Sequence, residues 1–182
     1  MTTTAEKSEL LVRVDEMSPV AHDVDLVVVG VVASRTNEPL RGSVLALDAL
    51  LAGAVERFRT RDDVRGGRGG TRLLDGTEGI KARKVLLVFL GTAGSLELEA
   101  LADAGRIAVR AALDLGVDTL GFAPGLRDAG VDDFDIGDVA QAIVRGAREA
   151  FDSYEVASRR SLVLALEAGP ANAAGARKGI ER

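Results

Sequence analysis

Apolar residues fall along this chain in two alternating rhythms. Unbroken, β-branched runs at 26–32 (LVVVGVV) and 84–90 (KVLLVFL) carry the signature of strands covered on both faces. Runs at 10–14 (LLVRV), 118–123 (DTLGFA) and 161–166 (SLVLAL) read as further strands, and 71–74 as a short edge strand. Between them apolar positions return at helical spacing. Val44, Leu47, Leu51, Val55 and Phe58 mark one helix, capped by Ser43 and fading near Arg59. Leu98, Leu101, Ala108, Ala112 and Leu113 mark a second, capped by Ser95 and stopped by Gly116. Ile136, Val139, Ile143, Ala147 and Phe151 mark a third, capped by Asp133 or Asp135. Strands alternating with such helices predict an α/β fold of three layers, with helices on both faces of a mostly parallel sheet. The loop at 59–83 and its short strand make that sheet mixed.

The pattern divides the chain into a flexible polar start at 1–9, one α/β domain at 10–166, and an Ala/Gly-rich tail at 167–182. A length of 182 residues suits one domain with a proper core. Only 3% of residues are aromatic, so that core must be built from Val, Leu, Ile and Ala. No apolar run is long enough to span a bilayer, and the first ten residues hold no apolar leader segment. A cytoplasmic protein without a membrane partner is the expectation. The absence of cysteine removes disulfides, a thiol nucleophile and a Cys-ligated zinc site. A net charge of −5 speaks against general nucleic-acid binding. Residues 57–84 are locally basic, with nine Lys/Arg against four Asp/Glu, and residues 128–138 hold five Asp and no base. Both read as solvated surface.

Few residues offer chemistry. His22 is the one histidine, lies in a polar stretch and has no second His or Cys beside it, so it reads as a surface residue. Asp128, Asp132, Asp133, Asp135 and Asp138 do not follow a calcium loop, because Gly137 is out of place and no Glu closes the run. They suit a helix N-terminus instead. The stretch 65–70 (RGGRGG) has the glycines and arginines of a phosphate cradle but lacks a Gly-Lys-Ser/Thr ending, and reads as a flexible loop. The best-placed candidates for ligand binding are Gly91, Thr92, Gly94 and Ser95 with Gly125 and Arg127. Both groups follow strands, and ligands in open α/β sheets sit at the carboxyl ends of strands. No cofactor is implied.

The order of these features resembles the N-terminal domain of the leucyl (cytosol) aminopeptidase family. The resemblance rests on Asp25 opening the strand to Val32, on 45–55 (LALDALLAGAV), on 66–74 (GGRGGTRLL), on 79–91 (GIKARKVLLVFLG) and on 142–154 (AIVRGAREAFDSY). It departs at Phe89, where family members usually carry glycine, so packing there is expected to differ. The resemblance implies a macro-domain-like fold and places peptidase chemistry in a C-terminal domain that holds two metals. No stretch like that domain's Asn-Thr-Asp-Ala-Glu-Gly-Arg occurs here, and 171–182 resembles the start of the linker leading to it. No catalytic residue is carried over. The resemblance implies a non-catalytic module for self-association or docking on a protein partner. Two alternatives are an accessory chain of a metallo-aminopeptidase and a module that binds nucleic acid or a small molecule, for which fold analogy nominates ADP-ribose.

Overall fold

A computed structural model describes residues 8–33, 38–62, 67–155 and 160–182. The polar start at 1–7 and parts of two loops, at 34–37 and 63–66, lie outside the described residues. Among the described residues six strands form one sheet. They are β1 (Leu10–Asp15), β2 (Leu26–Ala33), β3 (Thr71–Asp75), β4 (Lys84–Thr92), β5 (Thr119–Ala123) and β6 (Leu162–Glu167), in the spatial order β1-β6-β5-β2-β4-β3. All neighbours run parallel except β3, which lies antiparallel to β4 and makes the sheet mixed. The helices are α1 (Gly42–Leu50), α2 (Ala54–Thr60), α3 (Leu98–Leu115), α4 (Ile136–Ser153) and α5 (Ala173–Ile180).

Strand alternation sorts the side chains into two cores. Leu26, Val28 and Val32 of β2, with Leu86, Val88 and Leu90 of β4, face α3 and α4. Val27, Val29 and Val31, with Val85, Leu87 and Phe89, face α1 and α2. Every residue of β2 is buried, as its uninterrupted apolar run requires. Phe89 meets Phe58 of α2 edge to face, with centroids 6.5 Å apart. Just beyond it Val31 pairs with Phe89 but Val32 pairs with Gly91, so Leu90 is the extra residue of a bulge.

Three local expectations are corrected. The single helix from Ser43 to Arg59 is two helices, because Ala52 (φ 52°) and Gly53 (φ 77°) adopt left-handed backbone. Asp48 makes the break favourable: its Oδ1 accepts from the N–H of Val55 at 2.8 Å and of Glu56 at 3.0 Å, at the start of α2. Ser43 does not cap α1; it lies inside the helix, after Arg41. Ser95 does not cap α3, which starts after Glu97; it ends a short 3-10 turn, Ala93–Ser95. Asp135 does cap α4, accepting from Gly137 and Asp138. In the tail, α5 packs against α4 and β1, with Ala173, Ala176 and Gly179 buried.

Candidate functional site

A cleft of about 220 Å³ opens at the carboxyl ends of β5 and β6. The loop after β5 supplies Pro124, Gly125, Leu126, Arg127 and Asp128; α1 supplies Ser43. Val131, Asp132 and Phe134 approach α4, whose Ile136 and Val139 continue the wall. The end of β6 adds Glu167, Ala168 and Gly169, and Asn172 follows. The wall is thus apolar on the α4 side, and its charged members are Asp128, Asp132 and Glu167 against one cation, the exposed Arg127.

Each polar group is placed by local structure. Asp128 reaches across to the start of α1, where its Oδ2 accepts from Ser43 Oγ at 2.9 Å and from the Val44 N–H at 2.8 Å. It is the true cap of that helix, supplied by the loop after β5, the strand beside β2. Glycine is required at position 42, since φ is 55° and an added Cβ would strike the Asp128 carboxylate. Gly125 approaches the backbone of Gly30 so closely that a side chain at either position would collide with the other segment.

Glu167 ends β6 in register with Asp15 at the end of β1, so their side chains share one face of the sheet. Burial, then the charges of Asp128 and Asp15, push the Glu167 carboxyl up to about 8. Asp15 moves the other way. Burial opposes its ionisation, but the Met17 N–H at 3.0 Å and the neighbouring His22 outweigh that and hold its carboxyl below the usual value. His22 is not the surface residue its polar surroundings suggested. It is 2% exposed, lies against Gly121 of β5, and holds Nε2 3.3 Å from Asp15 Oδ2 without the alignment of a hydrogen bond. Burial keeps it neutral by lowering its pKa, partly offset by Asp15.

The candidate residues therefore separate. Gly125 and Arg127 line the cleft. Gly91, Thr92, Gly94 and Ser95 stand at the end of β4, with β2 between β4 and β5, and do not line it. Thr92, Gly94 and Ser95 are exposed there, with the Thr92 and Ser95 hydroxyls 3.3 Å apart. Glu167 and Asn172 escaped sequence reasoning. The one available signal was a carboxylate closing the apolar run 161–166. Of the glycine stretch 65–70, the described part anchors Arg68, whose guanidinium lies 3.0 Å from Asp103 on α3. Among the described residues no group of three or more His, Cys, Asp or Glu is arranged to hold a metal.

Comparison with known proteins agrees with this architecture. The profile of the cytosol aminopeptidase family, N-terminal domain, matches residues 28–159. A probable cytosol aminopeptidase of Paraburkholderia xenovorans is 39% identical over 89 residues, covering 49% of this chain and 17% of that protein. One of Geobacter sulfurreducens is 32% identical over 125 residues, covering 68% of this chain and 25% of that protein. The chain thus spans a quarter or less of these relatives. A tomato leucine aminopeptidase mutant superposes with a TM-score of 0.69 at 19% identity, covering 98% of this chain and 36% of that one. A macrodomain mutant of Oceanobacillus iheyensis gives 0.68 at 14% identity, covering 100% and 95%. A Trypanosoma brucei macrodomain in complex with ADP-ribose gives 0.60 at 18% identity, covering 94% and 67%. These structural likenesses establish a macrodomain-like fold. With the profile matching most of its length, the chain belongs to the cytosol aminopeptidase family through that family's N-terminal domain.

Proposed function

We propose that this domain acts by recognition, docking on further copies of itself or on a catalytic aminopeptidase chain, and contributes no hydrolytic chemistry of its own. The observation that carries this reading lies at the two ends of the sheet. Leu11 on β1 is 51% exposed and Leu73 on β3 is 44% exposed, and each strand has a sheet neighbour on one side only. A strand edge with an apolar side chain beside it invites pairing or packing with another chain. The family profile matched is that of an N-terminal domain, which fits a recognition role. So does the setting of His22, which is buried against a glycine and an aspartate and has no hydroxyl nucleophile among its described contacts. The site of action in this reading is the cytoplasm, as the relatives' names carry the cytosol.

The test is to mix the chain with a catalytic cytosol aminopeptidase polypeptide. Molar mass by light scattering and leucine-amide hydrolysis with manganese or zinc are then read together. A stable complex, or self-association of the chain alone, supports the reading. A strict monomer that neither joins the catalytic chain nor alters its rate removes it.

A second reading, small-molecule binding, is favoured by the cleft at the ends of β5 and β6. The macrodomain solved with ADP-ribose makes that ligand the natural first probe, but three carboxyls against one exposed arginine oppose a diphosphate.

A further inference from the structure

We propose that a second copy of this chain pairs with the free edge of β1, antiparallel and about a two-fold axis at Leu11, so that one sheet runs through both copies. This rests on the recognition reading above and names the partner of one edge. The β3 edge, with Leu73, is left to a catalytic chain.

The backbone supplies the first argument. The Glu9 carbonyl accepts from the Leu162 N–H at 2.9 Å, and the Asp15 carbonyl from the Ala168 N–H at 3.0 Å, so both point toward β6. The N–H and C=O of a strand residue point to one side, and the side alternates along the chain. Leu10, Val12 and Val14 therefore turn theirs outward, where β1 ends the sheet order. In an antiparallel pair, residues that both turn these groups inward face each other and exchange two bonds. Leu10 opposite Val12 of the second copy meets that condition and sets Leu11 opposite Leu11 on the axis.

Side chains supply the second. Glu9, Leu11 and Arg13 alternate onto one face of the sheet, and all three are exposed, Leu11 by 51%. In this register Glu9 of each copy stands opposite Arg13 of the other, on either side of the Leu11 pair. Opposite charges facing across two strands favour the pairing, and the central leucines leave water. Neither charge is firmly engaged within the chain. Among the described residues the Glu9 carboxylate has no hydrogen bond or ion pair, and Arg13 reaches Asp15 only at 3.8 Å.

Charges on an edge strand usually block pairing; here they select the register. The next register toward the end of β1 sets Glu9 against Asp15, and the one after it sets Arg13 against Arg13. The β3 edge offers no equivalent. With Leu73 opposite Leu73, Arg72 faces Leu74 and Thr71 faces Asp75, which already pairs with Lys84.

The experiment measures the dimer dissociation constant of the full chain by sedimentation equilibrium, for wild type, Glu9→Arg, Arg13→Glu and an equimolar mixture of these two variants. Circular dichroism checks the fold of each. The wild type is expected to dimerise. Each variant alone sets like charges opposite each other and should weaken the dimer about tenfold or more. In the mixture one copy carries arginine at both positions and the other glutamate, so opposite charges face again. The mixed dimer should return to within about threefold of the wild type. A monomeric wild type, variants that dimerise as the wild type does, or a mixture no tighter than either variant alone overturns the proposal. Self-association that Leu73→Lys dissolves and these variants do not overturns it too, but leaves the recognition reading standing, as does a monomer that joins a catalytic chain.

Discussion

The Asp128 carboxylate, in the loop after β5, accepts the backbone N–H of Val44 at 2.8 Å and so closes the start of α1, 84 residues earlier in the chain. The cap ties the helix layer on one face of the sheet to the loop that floors the cleft. Asp128→Ala leaves the Val44 N–H and the Ser43 hydroxyl without their acceptor, and is expected to cost ~1–2 kcal/mol. Ser43→Ala removes one bond and leaves the cap, so its cost should be about half that. Urea denaturation midpoints with unchanged slope would show both.

That contact also marks the boundary of what the sequence discloses. Strand positions were legible because each buried strand carries an unbroken apolar run. The three helical stripes were legible because burial repeats at helical spacing. The break at Ala52 and Gly53 was not, since Val44, Leu47, Val55 and Phe58 keep one apolar face across it. Nor was the capping role of Asp128, which requires knowing that β5 lies two strands from β6's far neighbour and beside β2. His22 was misread for a related reason: its polar neighbours in sequence say nothing of Gly121, the residue it packs against. Of the residues that line the cleft, the sequence reading singles out Gly125 and Arg127 as candidates; Glu167 and Asn172, which it does not, lie far along the chain and come near through the pairing of β5 with β6.

The contact between α3 and α4 makes an unusual prediction for a helical glycine. An added Cβ at Gly146 would fall on the Ala102 carbonyl, and one at Gly105 on the Ile143 carbonyl. Glycine to alanine within a helix ordinarily stabilises by up to ~1 kcal/mol. Gly146→Ala should instead destabilise, by about 1–3 kcal/mol, because two backbones must separate. Gly67→Ala, where nothing lies within 4 Å, should be close to neutral. Thermal melts of the two variants side by side give the comparison.

Stability should fall as pH rises from about 6.5 to 8. Glu167 has a folded pKa of about 8, well above its unfolded value, so the folded state holds a proton that the unfolded state has released. Its contribution is complete below the unfolded value near 4.5 and is lost as pH climbs through about 8. His22 has the opposite sign: its folded pKa is lowered, so it favours the folded state above about 6.5 and costs stability below that. Asp15, lowered by Met17 and His22, loses its contribution only as pH drops below the ordinary carboxylate range. The window above 6.5 therefore separates Glu167 from its two neighbours. Unfolding free energies at intervals across that window should decline for the wild type, by about 1–2 kcal/mol, and stay level for Glu167→Gln.

Sedimentation of the 19.0 kDa chain across a range of concentrations tests the recognition role most directly, with Leu73→Lys as the paired variant. The account predicts that the wild type sediments above its monomer mass, or does so once a catalytic aminopeptidase chain is added. It also predicts that a charge on the exposed edge strand shifts the distribution back toward the monomer. A wild type that remains a monomer at every concentration, alone and in the mixture, and that Leu73→Lys leaves unchanged, would contradict it.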